Sequence, residues 1–90
     1  MRGNPVKAQL AEGGTAFGTM VFEFASPGLP QILRNAGADF VFFDMEHSGF
    51  TMSELKVQLA LCRGLGLVPL VRPPGKSYQH TARLLDLGAM

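Results

Sequence analysis

Ninety residues carry 8 Lys plus Arg against 7 Asp plus Glu, a formal net charge of +1, and are 47% hydrophobic and 17% charged. That balance suits a chain that forms a core and excludes an intrinsically disordered one, while basic residues scattered from Arg2 to Arg83 make no patch of the kind that grips nucleic acid. No stretch approaches the roughly 20 apolar residues of a membrane span, and the N-terminus lacks a signal-like apolar run, so we expect a cytoplasmic protein with neither a nucleic-acid nor a membrane partner.

Asn4 before Pro5 reads as an N-cap and first helical residue, and Gly13-Gly14 as a stop, which predicts a short helix over 4–12. Thr15 to Phe24 (TAFGTMVFEF) is rich in Thr, Phe and Val and predicts a strand near 16–23, buried on most of its length. Ser26-Pro27 then restarts a helix over 27–36, with Ser26 as cap, Pro30 tolerated in the first turn, and Ile32, Leu33 and Ala36 as the buried stripe before Gly37. The apolar run Phe40 to Phe43 predicts a second buried strand, 39–44. Thr51 with Glu54 forms a capping box that opens a helix over 52–63, whose inner face is Leu55, Leu59 and Cys62. Cys62, the single cysteine, can close no internal disulfide, in keeping with a reducing compartment. Leu67 to Val71 predicts a third buried strand, 67–72. A last helix follows over 77–87, with Leu84, Leu85 and Leu87 apolar, His80 facing solvent and Gly88 as the stop.

Strands alternating with amphipathic helices are the pattern of a parallel α/β sheet with helical crossovers. Periodicity leaves both the open doubly wound sheet and the closed (β/α)8 barrel in play. Because Met90 follows a Gly-Ala that leaves a helix, the expectation is a partial chain, residues 1–90 being the N-terminal part of one larger domain.

Catalytic groups in such folds gather at the C-terminal ends of the strands. Here two strands end in charge: Phe42-Phe43-Asp44-Met45-Glu46-His47, and Leu70-Val71-Arg72. A histidine whose tautomer is fixed by a carboxylate three residues away can act as a base near neutral pH. Arg72 offers a planar donor fork that fits a carboxylate. The combination suggests proton abstraction assisted by a cation on a small 2-oxo acid. Against this stand structural roles for the same residues: Asp44 capping a turn, Arg72 paired with it, His47 an ordinary loop residue. Glu23, also near a strand end, is a weaker candidate. Gly64-Leu65-Gly66 precedes a strand and lacks the third glycine of a dinucleotide fingerprint, and no Walker loop occurs.

The runs FVFFDMEHSGF, VPLVRPPG and ARLLDLGAM, in this order and spacing, resemble the HpcH/HpaI family of class II pyruvate aldolases, which includes 4-hydroxy-2-oxoheptanedioate and 2-dehydro-3-deoxyglucarate aldolases. The resemblance covers about Thr15 to Met90. It implies a TIM barrel of which this chain supplies the first three βα units after a short helix. It also implies a divalent cation (Mg, Mn or Co) that holds pyruvate as its enolate while an aldehyde adds or leaves, and a homo-oligomer. By the same resemblance His47 is the acid/base histidine, Arg72 the arginine that contacts pyruvate and stabilises the transition state, and Asp44 and Asp86 two carboxylates associated with that histidine, the second acting from a neighbouring subunit. The metal ligands are expected on later strands, beyond Met90, so Glu46 is not taken for one. Many family members carry Trp near the end of the first strand where this sequence has Met20 and Phe22. A citrate-lyase-like or acyl-CoA lyase activity, or an inactive fragment that works only by association, are the alternatives.

Overall fold

A computed structural model describes residues 3–90. The elements run α1 (Pro5–Ala11), β1 (Gly18–Val21), α2 (Leu29–Asn35), β2 (Phe40–Asp44), α3 (Met52–Leu65), β3 (Val68–Arg72) and α4 (Tyr78–Leu87). The three strands form one sheet in the order β1-β2-β3, with both pairings parallel, as their alternation with helices predicts. Among the described residues no helix is long and apolar enough to cross a membrane.

Local chemistry sets the boundaries. Asn4 Oδ1 accepts from the Lys7 N–H at 3.1 Å to cap α1. The Thr51–Glu54 box forms in full, each residue's side chain accepting from the other's backbone N–H at 2.9 and 3.1 Å. Gly66, at φ 67°, turns the chain out of α3 in the left-handed conformation that side chains disfavour.

Side chains alternate across a sheet, and the two faces differ. Val41 and Phe43 point toward the helices and are fully buried with Leu55, Leu59 and Cys62 of α3, Leu67 and Leu84. The Phe43 and Phe50 rings meet in a T-shaped pair, with a centroid distance of 6.4 Å. On the opposite face Gly18, Met20, Phe40, Phe42, Leu70 and, at the strand ends, Asp44 and Arg72 share a side. Here the Phe40 ring lies over Gly18, where an added Cβ would stand 2.5 Å from ring carbons.

Three expectations need correcting. β1 is four residues long and largely exposed, not a buried strand: it is the sheet's edge, and among the described residues neither its outer side nor the face bearing Met20 is covered. Helix α2 starts at Leu29, two residues late. Ser26 makes a turn instead of a cap, its carbonyl accepting from Leu29 N–H at 3.0 Å and its Oγ from Gly28 N–H at 3.4 Å. The inner residues of α2 are Leu29, Pro30 and, in part, Leu33, while Ile32 and Ala36, four apart on the other side of the helix, face out. On α4 the same reasoning separates Leu84, buried, from its neighbour Leu85, which is exposed.

Candidate active site

Asp44 is the last residue of β2 and Arg72 the last of β3, and the parallel register sets them side by side. The ladder continues one step past them, Met45 N–H donating to the Arg72 carbonyl at 3.0 Å. Both side chains lie at the C-terminal end of the sheet on the face that the helices leave bare. Arg72 Nε donates to Asp44 Oδ1 at 3.1 Å and Nη2 to Oδ2 at 2.6 Å, a two-pronged ion pair. The guanidinium carbon also lies 6.0 Å from the centre of the Phe42 ring, within cation–π range.

Asp44 also shapes the loop that follows it. Its Oδ1 accepts from the backbone N–H groups of Glu46 at 2.9 Å and His47 at 3.1 Å, an Asx-type turn. Ser48 Oγ donates to the Asp44 carbonyl and accepts from Phe50 N–H at 3.2 Å, which leads the loop to the Thr51 cap. The turn carries His47 back over the carboxylate, with Nδ1 at 3.2 Å from Asp44 Oδ2. Asp44 is thus almost wholly buried, at 2% exposure, yet surrounded by donors.

The electrostatic consequence is clear in direction. The Arg72 hydrogen bonds hold the Asp44 carboxyl far below the usual carboxylate range; burial opposes this, and the His47 and Glu46 N–H groups and the His47 ring add to the lowering. Arg72 is raised in turn, first by its bonds to Asp44 and, after burial works against it, by the charges of Asp44 and Glu46. The pair is fully ionised at neutral pH. Asp44 spends its charge on Arg72 and on fixing His47, not on accepting a proton.

This sharpens what Arg72 can do. Asp44 takes the Nε and Nη2 edge of the fork, so a ligand carboxylate would meet the Nη1 end of a side chain that is 38% exposed. His47, whose side chain is 63% exposed, stands open to solvent beside it.

The structure therefore brings Asp44, His47 and Arg72 together. It does not bring Asp86 to them: Asp86 lies on α4, exposed, beside a shallow hollow lined by Met52, Ser53, Lys56, Arg83 and Leu87. Glu23 follows β1 in an exposed loop apart from the cluster, next to Phe22, Phe24 and Leu29. His80 is half-buried, and its Nδ1 is enclosed without a hydrogen-bond partner among the described residues, which corrects the expectation of a solvent-facing residue.

Two contributors escaped the sequence. Ser48 ties down the loop, a role that the chain could have suggested only through the hydroxyl's position just after Asp44's turn. Glu46 reaches the other side of the His47 ring, its Oε1 3.3 Å from Nε2 and 4.0 Å from Arg72 Nε.

Among the described residues no group of three or more His, Cys, Asp or Glu side chains is arranged to hold a metal ion. Asp44 is unsuited as a ligand besides, because five donors already occupy its two oxygens.

No family model matches the chain. Individual relatives do. A hydroxypyruvate/pyruvate aldolase of Roseobacter denitrificans is 33% identical over 86 residues, 96% of this chain and 33% of that protein. A 4-hydroxy-4-methyl-2-oxoglutarate aldolase of Chaetomium globosum is 38% identical over 93 aligned positions, 97% of this chain and 33% of the relative. Among solved structures, the crystal structure of an HpcH/HpaI aldolase from Desulfitobacterium hafniense superposes with a TM-score of 0.88 at 33% identity, covering 93% of this chain and 32% of that one. In sequence and fold the chain is similar to part of an HpcH/HpaI aldolase. It spans about a third of the length of the curated aldolases it matches. The three runs that carry the sequence resemblance form β2 with its loop, β3 with its loop, and α4, so two of the three build the cluster described above.

Proposed function

We propose that this chain is the part of a class II pyruvate aldolase that carries the base and the carboxylate-binding arginine, within a (β/α)8 barrel of which these are the first three βα units. The reaction is reversible cleavage of a 4-hydroxy-2-oxo acid to pyruvate and an aldehyde. The observation that carries the reading is the Asp44 clamp, which fixes His47 and Arg72 at the ends of adjacent parallel strands on one face.

In the cleavage direction Arg72 holds the substrate carboxylate and His47 takes the proton of the 4-hydroxyl. The C3–C4 bond then breaks, its electron pair passing into the pyruvate portion as the enolate, and C3 later takes up a proton. Asp44 holds the ring through Nδ1 and favours the positive charge that the ring gains. The described residues do not fit a divalent cation. The Mg, Mn or Co that we propose for the complete enzyme would need ligands from outside them. The reading carries with it a cytoplasmic homo-oligomer in which Asp86 serves the histidine of a neighbouring subunit.

The test is retro-aldol release of pyruvate with added Mg, Mn or Co, measured for the ninety-residue chain and for one extended to the length of the curated relatives. We expect turnover only in the extended protein, since a hard cation needs several fixed oxygen ligands and a sheet face open to water weakens each charge interaction. There His47→Ala should lower kcat about 10² to 10⁴-fold. An unchanged rate in that variant would remove the base assignment.

A further inference from the structure

In a parallel sheet every second residue of an edge strand turns both its N–H and its C=O away from the neighbouring strand. Phe17 shows which residues of β1 face inward. Its carbonyl accepts from the Asp39 and Phe40 N–H groups at 2.6 and 3.3 Å, and its own N–H donates to Asp39 Oδ2 at 3.0 Å. By alternation Gly18 and Met20 point theirs outward, where they have no partner among the described residues.

The two edges of the sheet are not alike. On β3 the first outward residue is Pro69, which has no N–H to offer, and its carbonyl is taken by Met90 N–H at 2.9 Å. Proline and a covering segment both blunt an edge against pairing. β1 has neither. From Gly13 to Phe22 the chain holds no ionisable residue and no proline, and Phe17, Met20 and Phe22 stand exposed along it.

We propose that β1 is a docking edge whose occupant is β1 of a second copy of this chain, the two strands pairing antiparallel about a two-fold axis near Met20. A strand that adds here must bring a free edge of its own, and of the two edges that the described residues form, β1 is the bare one. A two-fold sets the same patch of each copy against itself, which for two strands means antiparallel. Gly18 and Met20 of each copy then exchange backbone bonds across the axis, and two three-stranded sheets become one. No like charges meet: the two Glu23 side chains fall at opposite ends of the pair, roughly 20 Å apart at about 3.4 Å per residue. In a closed barrel a later strand would hold this edge, so the pairing belongs to the ninety-residue chain and nothing in it depends on aldolase chemistry.

Sedimentation equilibrium of the ninety-residue chain at neutral pH reads the pairing as a monomer–dimer equilibrium. Met20→Pro deletes an outward N–H, a change that an edge strand tolerates because that group serves no bond within the chain. Met20→Lys keeps the backbone whole and sets like charges opposite each other at the axis. Each should weaken the dimer roughly tenfold or more. Leu70→Lys, on the same bare face but two strands away, should leave it unchanged. Urea unfolding establishes that each variant folds; if Met20→Pro does not, Met20→Lys decides, because its side chain is exposed in the monomer. Four results would overturn the proposal: a chain monomeric at every concentration, assembly that runs past the dimer without a plateau, a dimer indifferent to Met20→Lys, or one lost equally in Leu70→Lys, which would mark face-to-face stacking.

Discussion

The β2-α3-β3 unit and the β1 strand are built from the same kinds of residue and end in opposite environments. Phe43 is completely buried, whereas Phe17, Phe22 and Phe24 around β1 are 67%, 51% and 65% exposed. Both strands pair in parallel with a neighbour and both follow a helix. The difference is cover: α3 packs against α2, α4 and β3, and closes over the inner residues of β2, while β1 pairs along one edge and sends only Val21, in part, against the core. Apolar composition makes burial favourable, but only a neighbouring surface makes it happen. The charged cluster belongs to the β2–β3 pair, whose ladder sets a carboxylate and a guanidinium side by side in fixed register.

That contrast can be broken by mutation. Phe43→Ala or Leu59→Ala should each cost about 3 to 5 kcal/mol, the price of a cavity in a closed core, whereas Phe22→Ala or Phe24→Ala should stay within about 0.5 kcal/mol. Urea unfolding of the four variants gives the comparison directly, and equal losses at the two regions would erase it.

Acid should act on the covered unit next. Asp44 is held below its ordinary value of 3.8 in the folded chain, so the unfolded chain binds the proton more readily. Its contribution is therefore complete above the ordinary carboxylate range and is lost as the pH falls below that range toward the folded value. The stability gap between the wild type and Asp44→Asn should accordingly be widest near neutrality and shrink below pH about 4. Urea midpoints taken at pH 7 and pH 3 test the sign, and a gap that widens in acid would contradict it.

The smallest effect compares helix starts. Thr51→Ala removes the acceptor for Glu54 N–H, which is half of the capping box, and should cost about 1 kcal/mol. Ser77, at the start of α4, makes no side-chain cap bond, so Ser77→Ala should stay within a few tenths of a kcal/mol by thermal unfolding.

Much of this was legible in the chain because it rests on local rules. The Thr51–Glu54 box, the Leu55-Leu59-Cys62 face, the glycine stops and the charged residues ending two apolar runs are each fixed by neighbours within a turn or a strand. What failed depended on distant cover. The sequence TAFGTMVFEF promises a buried strand, and only the three-dimensional structure shows that β1 is an edge strand exposed over Gly18 to Met20. Ile32 and Leu33 are equally apolar, and which of them faces α3 follows from how the helix docks. In the site, Asp44, His47 and Arg72 were visible as strand-end charges. The reach of Glu46 to Nε2 was not, because alternation along an extended strand places neighbouring residues on opposite sides, and the Asx turn cancels that rule for residues 46 and 47.

Asp44 and Arg72 stand 28 residues apart in sequence, joined only through the whole of α3 and its two loops. Their clasp cannot form before that long loop closes and β3 seats beside β2. Occupancy and folding are consequently two readings of one equilibrium: an anion that binds Arg72 in its clasped position recognises the folded chain alone, and so draws the population toward it by mass action. A carboxylate ligand too weak to be caught by turnover would still declare itself as a rise in melting temperature.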